Sequence, residues 1–226
     1  MELKHVPFIN PFSGKFIAFE GMDGCGKSTQ FLKSVDFLEN KNLKIKKTKE
    51  PNREVLGGKL IYGLLFGRGP VGFSSMSPFQ RQGYYFLNRI QHYGQIVIPA
   101  LKAGINVLSD RSLASVALDV QKNGDLEALL EIEEYFFKLE DVPFIRPNLI
   151  IVYDVEPDVA IRRLGEKDER RRDFFEQPDK LSRTREAYHE FANKFPDFCR
   201  IVDASEDADT VFVKYTKNIL SEFFEF

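Results

Sequence analysis

The chain has no tryptophan, and only two cysteines, three histidines and three methionines in 226 residues. Cys25 and Cys199 are too few for a disulfide framework, which fits a reducing compartment. His5, His92 and His189 show no metal-ligand spacing, and no Ser–His nucleophile elbow accompanies them. His92 is expected on a helix surface or hydrogen-bonded to a neighbour. No apolar run approaches the ~20 residues that span a bilayer. Neither charge sign dominates: 32 Lys and Arg against 34 Asp and Glu leave −2, without the basic footprint that a nucleic acid partner needs. The lead-in, residues 1–14, mixes Lys, His, Pro and Asn with scattered hydrophobes and lacks the apolar core of a signal peptide. A cytoplasmic, globular protein acting on small molecules is expected, with no membrane or nucleic acid partner.

What remains is an alternation of apolar runs and amphipathic stretches. Five runs predict buried parallel strands at 16–20, 44–48, 106–109, 149–154 and 200–203. Between them, 3.6-residue periodicity predicts helices at 27–40, 54–66, 78–103, 125–140, 157–172, 179–195 and 206–224. Pro51, Gly67 to Pro70, Gly104, Asn123-Gly124, Pro143 and Pro147 punctuate the joints. This is the pattern of a doubly wound α/β sheet, and no linker divides 1–226 into two domains. Ligands of such sheets collect beyond the strand ends, where Asp23, Glu50 and Asp110 fall.

Gly21 to Ser28 read G-M-D-G-C-G-K-S between the first strand and the first helix. Glycines leave backbone N–H groups free to close on phosphate oxygens, and a helix N-terminus adds a favourable dipole. Gly21, Met22, Asp23, Gly24, Cys25, Gly26, Lys27, Ser28 and Thr29 are therefore expected around the phosphates of a nucleoside triphosphate. Lys27 supplies a charge to the terminal phosphates and Ser28 a hydroxyl to Mg2+. Cys25 reads as a small residue tolerated in the loop.

Further cations stand apart in the chain. Arg111 follows Asp110 directly after the third strand; Asp110 either orients Arg111 or holds a magnesium-bound water. Tyr85 and Arg89 lie four apart on one helix face, where a ring can stack on a base and an arginine can bond its carbonyl. Arg170, Arg171 and Arg172, flanked by Arg162 and Arg163, are either a solvated face or a lid that closes on the transferring phosphoryl group. No N-K-x-D base-reading motif of a GTPase is present.

Together these segments resemble the thymidylate kinases over nearly the whole chain after the lead-in. Phe19 to Gln30 is similar to that family's phosphate loop, Asp23 included. Lys49-Glu-Pro-Asn-Arg53 resembles the segment after strand two, whose arginine reaches the acceptor phosphate. Tyr85 falls where the family stacks an aromatic on thymine, Asn88-Arg89 beside it, and Ser109-Asp-Arg111 fits its Asp-Arg pair. Arg185 to Tyr188 resembles the helix beyond the lid. The resemblance implies a three-layer P-loop NTPase fold, with a five-stranded parallel sheet, helices on both faces and a lid at about 163–177. It implies ATP and Mg2+ as cofactors, dTMP as acceptor and a homodimer. On it, Lys27, Arg111 and the lid arginines 170–172 are catalytic; Asp23, Glu50, Arg53, Tyr85, Arg89, Asp110 and Arg111 hold the acceptor; Ser28 and Asp110 serve the metal. Gly24, where some members have arginine, fits the subgroup whose catalytic arginines come from the lid. Ser112 departs from the family's tyrosine, and Leu118 to Gln121 from its Ala-Tyr-Gln run. Asp-Arg-Ser is also a spelling of the deoxynucleoside kinases, in which Glu50 would be the base for a 5′-hydroxyl. A monophosphate kinase for another pyrimidine, and a nucleotide-binding regulator without turnover, are the other readings.

Overall fold

The computed structural model describes residues 8–66, 75–119, 125–165 and 178–226. Five parallel strands form the central sheet: β2 (Phe16–Glu20), β3 (Ile45–Lys49), β4 (Asn106–Asp110), β6 (Leu149–Asp154) and β7 (Cys199–Asp203). Their spatial order is β3-β4-β2-β6-β7, so the phosphate-loop strand is central. All five expected strands are present, within one residue of the predicted bounds. Two more were not foreseen: β1 (Phe8–Ile9) and β5 (Ile145–Arg146) pair in parallel as a separate ribbon. Two-residue strands carry no periodicity that a sequence reading could detect.

Period-2 alternation assigns β2 to two cores. Ile17 and Phe19 face α1 (Lys27–Glu39) and the C-terminal helix α9 (Lys217–Phe224), packing with Leu38, Ile151, Tyr153 and Leu220. On the opposite face, Phe16 and Ala18 meet α3 (Pro78–His92), α5 (Asp125–Leu139) and α7 (Pro178–Lys194) through Phe86, Leu129, Tyr93, Phe137 and Phe191. Glu20 shares that second face and is fully buried.

The long helix expected at 78–103 is continuous but not uniform. It begins on a Ser77–Gln80 capping box, widens to a π turn at Tyr93–Val97 and ends as α4 (Ile98–Lys102). Pro99 has no N–H and its ring crowds the preceding turn; the chain answers with an Ile98 N–H that reaches back to the Tyr93 carbonyl. A similar π turn, Phe212–Thr216, joins α8 (Ala208–Val211) to α9. The helix α2 (Leu56–Phe66) matches expectation, whereas α6 (Pro157–Leu164) stops well short of 172. Gly165, at φ 75, turns the chain out of the helix, and residues 166–177 lie outside the described set.

Asn148 ties the lead-in to the sheet. Its Oδ1 accepts from the Phe16 N–H at 2.8 Å and from Asn10 Nδ2 at 2.9 Å, and Asn10 Nδ2 also donates to the Gly14 carbonyl. Asn148→Ala leaves the Phe16 N–H without its acceptor; unfolding free energy, read by urea titration, should fall by about 1–3 kcal/mol.

Candidate active site

The phosphate loop runs from Gly21 to Gly26 and opens α1 at Lys27. Gly26 sits at φ 94 and caps the helix without a side chain, so its N-terminal amides stay open to a ligand. A Cβ on Gly24 would stand 2.4 Å from the Ala160 carbonyl, so the loop can lie against α6 only as glycine. Cys25 is buried in the core, and burial pushes its thiol above the ordinary value, as an inert loop residue requires.

Two cations from separate segments converge on one carboxylate. Lys27 Nζ lies 3.0 Å from Asp23 Oδ1, and Arg111 Nη2 lies 2.6 Å from the same oxygen. Burial pushes the Asp23 carboxyl up, but Lys27 and Arg111 outweigh it and hold it well below the usual carboxylate range. Arg111 reaches this point because β4 pairs with β2, Phe19 opposite Asp110, and the Arg111 N–H donates to the Phe19 carbonyl at 2.9 Å. Its backbone is left-handed, φ 77, a conformation that costs a non-glycine residue about 1–3 kcal/mol and collects at functional sites.

Behind Arg111 lies a carboxylate that sequence reasoning missed. Glu20 accepts from the Ser112 N–H (2.6 Å), Ser112 Oγ (3.1 Å), Ser115 Oγ (2.9 Å) and Tyr188 Oη (2.8 Å). Tyr188 Oη in turn accepts from Arg111 Nη1 at 3.2 Å. Ser112, the departure from the resembled motif, is thus fully buried beneath Arg111.

The groups expected at a magnesium ion also meet. Ser28 Oγ donates to Asp110 Oδ2 at 2.9 Å, while Asp110 Oδ1 is buried without a partner among the described residues. An orphaned carboxylate oxygen beside a loop hydroxyl suits a hard, hydrated cation whose remaining ligands are water and phosphate. Among the described residues no cluster of three His, Cys, Asp or Glu could hold a metal alone.

Glu50, Arg89 and His92 form a second, deeper group joined to the first through Ser112. Arg89 is 1% exposed and donates Nε to Glu50 Oε2 (2.6 Å), Nη1 to Glu133 Oε1 and Nη2 to the Ser112 carbonyl (3.0 Å). His92 is buried, with Nε2 2.6 Å from Thr48 Oγ1 and Nδ1 3.3 Å from Glu50 Oε1; of the two expected placements it takes the hydrogen-bonded one. Burial raises the Glu50 carboxyl, but Arg89 and His92 bring it below its ordinary value. Tyr85 is half-buried and packs near Ile61. Arg53 is exposed, its guanidinium 3.5 Å from the centroid of the Tyr62 ring. Arg170, Arg171 and Arg172 lie outside the described residues.

A cavity of about 420 Å3 runs on from the loop, between residues 24–30 and a wall formed by Arg163, Ala204, Glu206, Asp207 and Ala208. Arg163 donates to the carbonyls of Ala204 (2.8 Å), Ser205 (2.9 Å) and Glu206 (3.0 Å). The rule that points to Asp110, polar residues just beyond a strand, also applies to the segment after β7 and would have found this wall.

A glycine loop between a central parallel strand and a helix, with a loop lysine, a hydroxyl and converging cations, defines a P-loop phosphotransferase. The family model "Thymidylate kinase" matches residues 19–214. The chain is similar to thymidylate kinases of Nitrosomonas eutropha (35% identical, covering 92% of this chain and 94% of that protein), Methylobacillus flagellatus (32%, 93% and 98%) and Mycoplasma capricolum (29%, 92% and 95%). The chain belongs to the thymidylate kinase family.

Asp23 makes the site sensitive to acid. Its pKa is depressed from 3.8, so the stability it lends is present above that value and is lost as pH falls through the lower folded one. Asp23→Asn should flatten the acid limb of a thermal-melt profile below about pH 4 and leave the profile at pH 7–8 comparatively level.

Proposed function

We propose that this chain transfers the γ-phosphoryl group of ATP to dTMP, giving dTDP and ADP. The observation that carries the reading is the meeting of Lys27 and Arg111 on Asp23. Two cations held ready at the mouth of a phosphate loop provide what phosphoryl transfer asks of a protein, alignment and positive charge at the moving group. On this reading the triphosphate lies along the amides of residues 24–29, with the nucleoside toward Arg163 and residues 204–208. Lys27 and Arg111 exchange Asp23 for phosphate oxygens, Glu20 and Tyr188 keep Arg111 from swinging away, and Arg53 swings from Tyr62 to the acceptor phosphate. Tyr85 and Arg89 face the base. The lid arginines 170–172 add charge to the transferring group.

Mg2+ fits Ser28 and Asp110, and when bound it neutralises and orients the phosphate oxygens. The two residues' own part is to hold the hydroxyl and the orphaned carboxylate oxygen at one spot. Glu50 favours the monophosphate reading over the nucleoside one: both its oxygens are engaged within the protein, by Arg89 and His92, as an ion pair requires and not as a base awaiting a hydroxyl proton. A homodimer is supported by large apolar side chains exposed on neighbouring helices: Phe79 and Leu87 on α3, Ile132, Tyr135 and Leu139 on α5. The two buried, unpaired cysteines suit a cytoplasmic setting.

Purified protein with ATP and Mg2+, offered dTMP, dUMP, dCMP and thymidine in parallel, should turn over dTMP fastest. Turnover of thymidine but of no monophosphate would sink the reading. Lys27→Ala should lower kcat by about 10²–10³-fold, the scale for losing one preorganised charge. Light scattering should give the mass of a dimer, and Leu87→Glu with Leu139→Glu that of a monomer.

A further inference from the structure

Arg89 sits between two carboxylates, although one is enough to balance a buried guanidinium. Glu133, the second, is fully buried on α5, and its Oε2 has no partner among the described residues. The Tyr93 hydroxyl is likewise buried and, among the described residues, unpartnered. The charged and titratable groups that act on Glu133 come from several elements: Arg89 on α3, Glu50 after β3 and Tyr93 on the π turn; one step further out, His92 on α3 touches Glu50, and Glu20 at the end of β2 acts on Tyr93. Burial, with the Glu50 charge, pushes the Glu133 carboxyl up to about 7 against the pull of Arg89.

That arrangement works against stability. With a folded pKa near 7 and an ordinary value of 4.5, the unfolded chain releases this proton first, so stability falls as pH rises between the two and stays lower above them. The geometry suggests another use. Glu50, Ser112 and Glu133 anchor the guanidinium from the loop after β3, the segment after β4 and α5. Three anchors fix a plane, whereas two leave it free to tilt about the line that joins them.

We propose that Glu133 is a positioning residue: its carboxylate holds Nη1 and so sets the plane in which Arg89 offers its remaining N–H groups to the acceptor base. This rests on the assignment of Arg89 to the base.

Glu133→Gln keeps the shape and an acceptor oxygen but loses the charge. At pH 8 its KM for dTMP should rise about 10-fold, with kcat and the KM for ATP within about twofold and a melting temperature no lower than wild type. At pH 6, where wild-type Glu133 carries a proton, the ratio of variant to wild-type KM should shrink toward one; the nucleotide phosphate titrates alike with both proteins and cancels. A ratio that is constant from pH 6 to 8, or a fall in melting temperature that carries kcat and both KM values with it, would overturn the inference. Arg89→Lys, measured alongside, separates the two claims. An unchanged dTMP KM in that variant removes the base contact itself; a raised one, with Glu133→Gln silent, removes only the positioning role. A wild-type measurement covers a variant that does not fold. Affinity for dTMP relative to 2-deoxyribose 5-phosphate, which has no base, should rise severalfold from pH 6 to 8, and a flat ratio overturns the inference.

Discussion

Main-chain pairing between β2 and β4 sets Phe19 opposite Asp110, and the charges of the site take their places from that registration. It brings the phosphate loop and the Asp110-Arg111 pair to the same edge of the sheet. One residue of slip would turn Glu20 from the α7 side to the α1 side, away from Tyr188 and Ser115. The apolar residues Phe16 to Phe19, packed on both faces, make such a slip costly. Hydrophobic alternation thereby becomes chemistry: the same period that buries Ile17 and Phe19 on one face points Glu20 at the opposite core, where it has to find donors.

Glu20 and Arg89 are two solutions to one problem. A buried charge must be paired and hydrogen-bonded, or it leaves the interior or changes protonation state. Glu20 is surrounded by hydroxyls and one amide, and steadies Arg111 from behind through Tyr188. Arg89 is surrounded by acids and a carbonyl. Ser112 belongs to both, giving its amide and hydroxyl to Glu20 and its carbonyl to Arg89. A tyrosine there would have to leave this buried crossing, which gives the departure from the resembled motif a physical meaning.

The sheet was legible because buried parallel strands are short apolar runs between turn residues; β2 and β6 fall at the expected bounds. The phosphate loop was legible because its chemistry is local, contained in eight consecutive residues. What escaped depends on distance in the chain. Glu133 reads as one more acid on an amphipathic helix, and nothing near it in sequence reveals Arg89. Arg163 reads as part of a run that is either a solvated face or a lid, yet it clamps three carbonyls some forty residues further on. The early end of α6 escaped because the arginines beyond Gly165 continue a helical pattern that the glycine interrupts.

The strand β3 lies at one margin of the sheet and reads Ile-Lys-Lys-Thr-Lys. Among the described residues no sixth strand bonds its outer main-chain groups, and such a row is a template on which another molecule can grow. Ammonium groups at 46, 47 and 49 make that growth electrostatically unwelcome, since a copy arriving by the same margin brings the same lysines. The lysines that close this margin of the sheet thus guard it against edge-to-edge pairing.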